Sequence, residues 1–179
     1  VNGLSNVVQR NVQALLDMGY SINVLTNYNS FSFSTENVYT FNLQGNGSFL
    51  NPIKGDQNLY INFLMDITKD SFCNIVHGWH SWSTNIFLQN IKFIKSPTIL
   101  YSHGTGFDTN EKFLIRIFRN LFYIKLRFDT IRYLKVINAM IFITNNKDHR
   151  RCYDLRNFNK NKKIILYNTI LERSEGNFS

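Results

Sequence analysis

His103 stands at the end of an apolar run, Leu100-Tyr101-Ser102, and is followed by Gly104-Thr105-Gly106. A polar ring that leaves a strand beside glycine meets a ligand where the backbone can be approached closely. His103 is therefore the leading candidate for a catalytic group, with Gly104 giving the close approach. A second apolar run, Ile75-Val76, leads into His77-Gly78-Trp79-His80-Ser81-Trp82. Imidazoles beside aromatic faces suit a sugar, so His77, Trp79 and His80 are candidate sugar contacts. The plainer alternative is a capped helix start, with the tryptophans packed in the core. No Asp or Ser lies at a spacing that suggests a hydrolytic triad.

Two further segments carry charge logic. Gly3, Leu4 and Ser5 read as a glycine-bearing loop that opens a helix, and peptide N–H groups there suit a phosphate. The dinucleotide fingerprint G-x-G-x-x-G is absent, which argues against a nicotinamide or flavin enzyme. On a helix, Lys112, Arg116, Arg119, Tyr123 and Arg127 fall on one side, with Phe, Leu and Ile over the rest. Such a helix suits an acidic membrane surface; a core helix with a solvated face is the simpler alternative. Cys73 and Cys152 lie far apart with no C-x-x-C and no clustered histidines, so free thiols and no metal site are expected.

The elements that must position these residues follow from pattern. Ser5 suits the N-cap of a helix ending near Met18, with Val8, Val12, Leu15 and Leu16 as its apolar stripe and Gly19 ending it. Strands are expected over Ile22–Thr26, Val38–Leu43, Asn74–His77, Thr98–Ser102, Ala139–Thr144 and Lys163–Tyr167. Helices are expected over Asp56–Lys69, Ser81–Phe93, Asn110–Val136 and Lys147–Leu155. Strands alternating with helices, each strand a nearly continuous apolar run, imply an α/β fold with one parallel sheet covered on both faces. Residues 1–171 form one domain in this reading, and the polar stretch 172–179 is a linker or tail. A βαβ unit also needs a strand ahead of the first helix. The chain thus reads as a piece of a larger protein.

With 179 residues, of which 44% are hydrophobic, the chain can bury a real core. No apolar run reaches the roughly 20 residues a membrane span needs, so a soluble or peripheral protein is expected. Nothing argues for secretion, and the expected location is the cytoplasm. The net charge of +8 leaves nucleic acid, acidic lipid and phosphorylated ligands open as partners.

Together these segments resemble the amino-terminal domain of family 4 (group 1) glycosyltransferases, whose two Rossmann-like domains form the GT-B arrangement. Asn2-Gly3-Leu4-Ser5-Asn6-Val7-Val8 and Gly19-Tyr20-Ser21-Ile22-Asn23-Val24-Leu25-Thr26 are similar in spacing to that family's first loop and second strand. Val76-His77-Gly78-Trp79-His80 resembles its H-D-W-H strand end, and Pro97 to Gly104 its I-P-V-V-x-T-x-H-G. Ala139 to Asn145 and Lys163 to Ile170 resemble its later strand and its hinge. Asn2, Asn6, Tyr167 and Thr169 depart from the family pattern.

The resemblance implies the acceptor-side half of a retaining glycosyltransferase of hexosyltransferase type, using a nucleotide-sugar as co-substrate and no other cofactor. It places Gly3 near the donor diphosphate, His103 on the transferred sugar, and His77, Trp79 and His80 on the acceptor side. The acceptor it implies is a glycan or a lipid-linked acceptor, with the inner face of the membrane as the expected meeting place. The carboxy-terminal donor domain is not in this sequence, so the fragment alone is expected to be inactive. Two rival readings are a non-catalytic truncated remnant and a basic α/β nucleic-acid-binding module. The second is disfavoured because no recognition motif is present.

Overall fold

The computed structural model describes residues 3–27, 37–48, 51–103, 124–144, 158 and 163–167. Helix α1 spans Gly3–Asp17, so it begins two residues ahead of Ser5. Gly3, Leu4 and Ser5 are consequently its first turn, and the expected loop and N-cap at Ser5 are corrected to helix. The end of α1 follows from Gly19. At φ +85° this residue adopts a conformation that glycine reaches without a Cβ penalty. Its N–H bonds to the Leu16 carbonyl at 2.8 Å and that of Tyr20 to Leu15 at 3.1 Å, closing a Schellman motif.

Strands β1 (Val24–Thr26) and β2 (Val38–Thr40) pair in parallel as a separate two-stranded sheet. Helix α2 (Gln57–Ile67) is capped by Asp56, whose carboxylate accepts from the Leu59 N–H at 3.0 Å. Then come β3 (Asn74–His77), α3 (Trp82–Asn90) with a 3₁₀ turn at Ile91–Phe93, and β4 (Thr98–Ser102). Helix α4 (Ile124–Leu134), β5 (Ala139–Thr144) and β6 (Lys163–Tyr167) complete the described elements. Strands β3 to β6 form a four-stranded sheet in sequence order, every neighbour parallel. The class is α/β, with no closed barrel among the described residues. The expected helix over 147–155, the first part of the long helix and the tail at 172–179 lie outside them.

One expectation is corrected and one feature is added. Among the described residues the parallel strands form two sheets rather than one, because β1 and β3 do not pair. The larger sheet also buries one face more deeply than the other. Side chains alternate across a strand, and Val76, Leu100, Met140 and Phe142 enter the core while Ile75 is 40% and Ile164 49% exposed on the sheet's edge strands. The core gathers these with Leu43, Tyr60, Leu64, Trp82 and Ile86, then Tyr133 of α4 and Ile137 just after it. The starts of β4 and β5 are clamped by Asn138, whose side chain accepts from the Thr98 N–H at 2.8 Å.

Candidate functional site

The carboxyl edge of the larger sheet is built by the register of β3 on β4, which sets His77 opposite Tyr101. Opposed residues in a parallel pair share a face, and residue 103 shares that face with 101 by the period of two. The rings stack accordingly: His77 lies on Tyr101 with centroids 4.9 Å apart and planes 16° apart. His103 approaches His77 at 6.2 Å with a 33° tilt. The structure thus brings together the two histidines that the sequence singles out at separate strand ends.

The chain leaves β3 through a turn that holds two positive-φ residues, Gly78 at +75° and His80 at +58°. A left-handed conformation is uncommon for any residue but glycine, and it is enriched at sites where geometry is fixed by surrounding structure. Here the turn is fastened from both sides. The Gly78 N–H extends the ladder to the Tyr101 carbonyl at 2.9 Å. Thr84, fully buried in α3, donates through Oγ1 to the Gly78 carbonyl at 2.8 Å. Ser81 caps α3 by accepting from the Thr84 N–H at 3.2 Å, and its hydroxyl donates to Thr84 Oγ1 at 2.9 Å. Asn85 of the same helix donates to the Asn46 carbonyl. The edge is therefore anchored to the core by α3.

Burial decides the charge state of this edge. Loss of solvent holds His77 down from 6.5 to about 4, with the neighbouring His103 as a lesser cause. The same desolvation lowers His80 to about 4. His103 is exposed at the rim, and the partly covered ring is lowered in the same direction. At neutral pH the edge thus offers uncharged imidazoles, each able to donate at one nitrogen and accept at the other. His77 Nδ1 is buried with no hydrogen-bond partner among the described residues. A hydroxyl-bearing ligand is the natural complement to such a set. No group of three or more His, Cys, Asp or Glu among the described residues lies close enough to hold a metal ion.

The remaining expected site residues fall elsewhere. Trp79 is 9% exposed and belongs to the core, so its ring is packing rather than an open platform. Trp82 is likewise core, with Tyr60 edge-on at 5.0 Å. His80 stays with Trp79 on the turn, their rings 6.2 Å apart. Gly3, Leu4 and Ser5 form the first turn of α1, whose peptide N–H groups have no partner within the helix. Gly104, Lys112, Arg116 and Arg119 lie outside the described residues. Arg127 is half-buried on α4, whose outer face exposes Ile124, Phe128, Lys125 and Arg132. Among the described residues no helix is long and apolar enough to cross a membrane.

Tyr101 is the contact that sequence reasoning passed over. Its signal was the parity it shares with His103, two positions on, together with the pairing of the two apolar runs. No protein-family model, curated protein or solved structure matches this chain.

Proposed function

We propose that this chain is the acceptor-side half of a retaining glycosyltransferase that moves a sugar from a nucleotide-sugar to a glycan or lipid-linked acceptor. One observation carries the reading: two neutral histidines and a stacked tyrosine meet at the carboxyl ends of adjacent parallel strands. Ligands of open α/β sheets bind at that edge, and uncharged imidazoles suit hydroxyl groups. The similarity of the strand-end motifs to family 4 glycosyltransferases supports the choice of a sugar.

In this reading His103 contacts the transferred sugar and His77 the acceptor side. The N–H groups of Gly3, Leu4 and Ser5 face the donor diphosphate. Charge that develops on the departing diphosphate needs preorganised dipoles and cations, and most of these belong to a donor domain outside this sequence. The 179-residue chain alone therefore gives no turnover with nucleotide sugars. In an enzyme that joins it to a donor domain, His103→Ala lowers turnover by at least ~10-fold, about 1.4 kcal/mol of barrier. Robust turnover by the isolated chain, or unchanged kinetics in the His103→Ala enzyme, contradicts the proposal.

Attachment to the acidic inner face of a membrane belongs to the same reading. It is supported by Ile124 and Phe128, one turn apart and 52% and 69% exposed, flanked by Lys125 and Arg132. Sedimentation with anionic vesicles at low salt, lost in Phe128→Ser, is the expected result. No binding to such vesicles removes the membrane from the account.

A further inference from the structure

The chain between β2 and α2 doubles back on itself, and Gln44 and Lys54 exchange both backbone hydrogen bonds at 3.1 and 2.9 Å. Inside that pair lies Asn46-Gly47-Ser48, held by side chain and backbone alike. The Asn46 carboxamide accepts from the Ser48 N–H through Oδ1 at 3.0 Å, an Asx turn. The Gly47 N–H donates to the Asn51 carbonyl at 3.0 Å. The Asn46 carbonyl accepts from Asn85 Nδ2, which ties the loop to α3.

The packing calls for glycine at position 47. Its φ is +76°, and a Cβ there would come within 3.0 Å of Asn85 Nδ2, so any side chain would crowd α3. The same choice makes the dipeptide chemically labile. Asparagine is a fragile residue, and no side chain on the next residue shields the Gly47 nitrogen from the Asn46 carboxamide carbon. Asn46 is only half-buried, so water reaches it.

We propose that Asn46-Gly47 is a self-modifying site, silent while the loop is closed and reactive when it opens. The Gly47 nitrogen loses its proton and attacks Asn46 Cγ. A C–N bond forms, the Cγ–Nδ2 bond breaks, and the departing nitrogen takes up the proton and leaves as ammonia. Water then opens the five-membered imide at either carbonyl, giving aspartate or isoaspartate. The imide nitrogen carries no proton, so the bond from Gly47 to Asn51 cannot survive the step. The reaction therefore needs the same local opening that exposes the Gly47 amide to hydrogen exchange. In the isoaspartate product the main chain runs through the old carboxamide carbon and is one carbon longer. The carbonyl that Asn85 held becomes a free carboxylate, and the loop loses its register on α3, the helix whose cap fixes the His80 turn. The inference stands whether or not the histidine edge binds a sugar.

The test incubates the 179-residue chain at mildly alkaline pH and reads deamidation and isoaspartate site by site, since Asn2-Gly3 is a second such pair. A synthetic peptide of residues 41–56 is the open reference. Asn46 in the folded chain reacts at least ~10-fold more slowly than in the peptide. Urea below the unfolding transition raises its rate in step with hydrogen exchange at Gly47. Asn85→Ala raises both by at least ~3-fold while the buried Leu100 amide stays protected. Equal rates in chain and peptide overturn the proposal, as does an Asn46 that stays intact in both. Gly47 exchange that rises in urea without deamidation also overturns it. If Asn85→Ala fails to fold, the urea series on the unchanged sequence decides.

Discussion

The half of the molecule built from β3 to β6 and the half built from α1, β1 and β2 solve the same problem with unequal means. Strand β4 has a neighbour on each side, and Thr98, Leu100 and Ser102 are all buried. Among the described residues strand β1 has a neighbour on one side only, and Val24 is its one buried residue. The histidine edge sits on the well-supported half, where the ladder, Thr84 and the core fix ring positions. A site that recognises a ligand by hydrogen bonds depends on that rigidity. The first turn of α1 sits on the less supported half.

Core truncation draws the contrast most strongly. Leu100→Ala or Met140→Ala, both fully buried, should cost about 3–5 kcal/mol in urea unfolding. Val24→Ala in β1 should cost only about 1–2 kcal/mol. Equal costs would erase the distinction between the halves.

Acid comes next. His77 and His80 bind protons at 6.5 when unfolded and only near 4 when folded. Between those values the unfolded state holds more protons, so stability falls as the pH drops from 6.5 towards 4 and is full above 6.5. The loss approaches about 3 kcal/mol for each histidine. Thermal melts at neutral and acidic pH measure it, and His77→Gln should flatten the dependence by its own share. An unchanged profile in that variant would detach His77 from the effect.

Thr84→Val removes the hydroxyl that holds the Gly78 carbonyl. It should cost about 1–3 kcal/mol, because a buried acceptor is left unsatisfied. Broadening of the His77 and His80 resonances in the same variant would sharpen the view that α3 positions the edge. At the small end, Asp56→Ala removes the α2 cap for about 1 kcal/mol. Lys69→Ala breaks an exposed ion pair with Asp66 for no more than about 0.5 kcal/mol.

The same contrast governs what the sequence reveals. The limits of β3, β4, β5 and β6 are legible in it because each is a nearly continuous apolar run with a defined end, such as Pro97 before Thr98. The expected strands Ile22–Thr26 and Val38–Leu43 shorten to three residues each, since an apolar run pairs only as far as its neighbour extends. Ser5 has the right chemistry for a cap, yet α1 starts earlier, at Gly3. The separation into two sheets is invisible in one-dimensional pattern, because pairing is a property of neighbours and not of runs. Of the site, His77 and His103 stand out as polar rings at apolar strand ends. Trp79 misleads, because an aromatic ring at a strand end serves a ligand or the core with the same sequence signature.

The most direct measurement is a nuclear magnetic resonance titration of the 179-residue chain with methyl glycosides and nucleotide sugars, read at the histidine ring protons. The account predicts that His77 and His103 shift together and saturably with at least one sugar, and that His103→Ala abolishes the His77 response. Shifts confined to surface residues, with both histidines unmoved at every sugar tested, would contradict it.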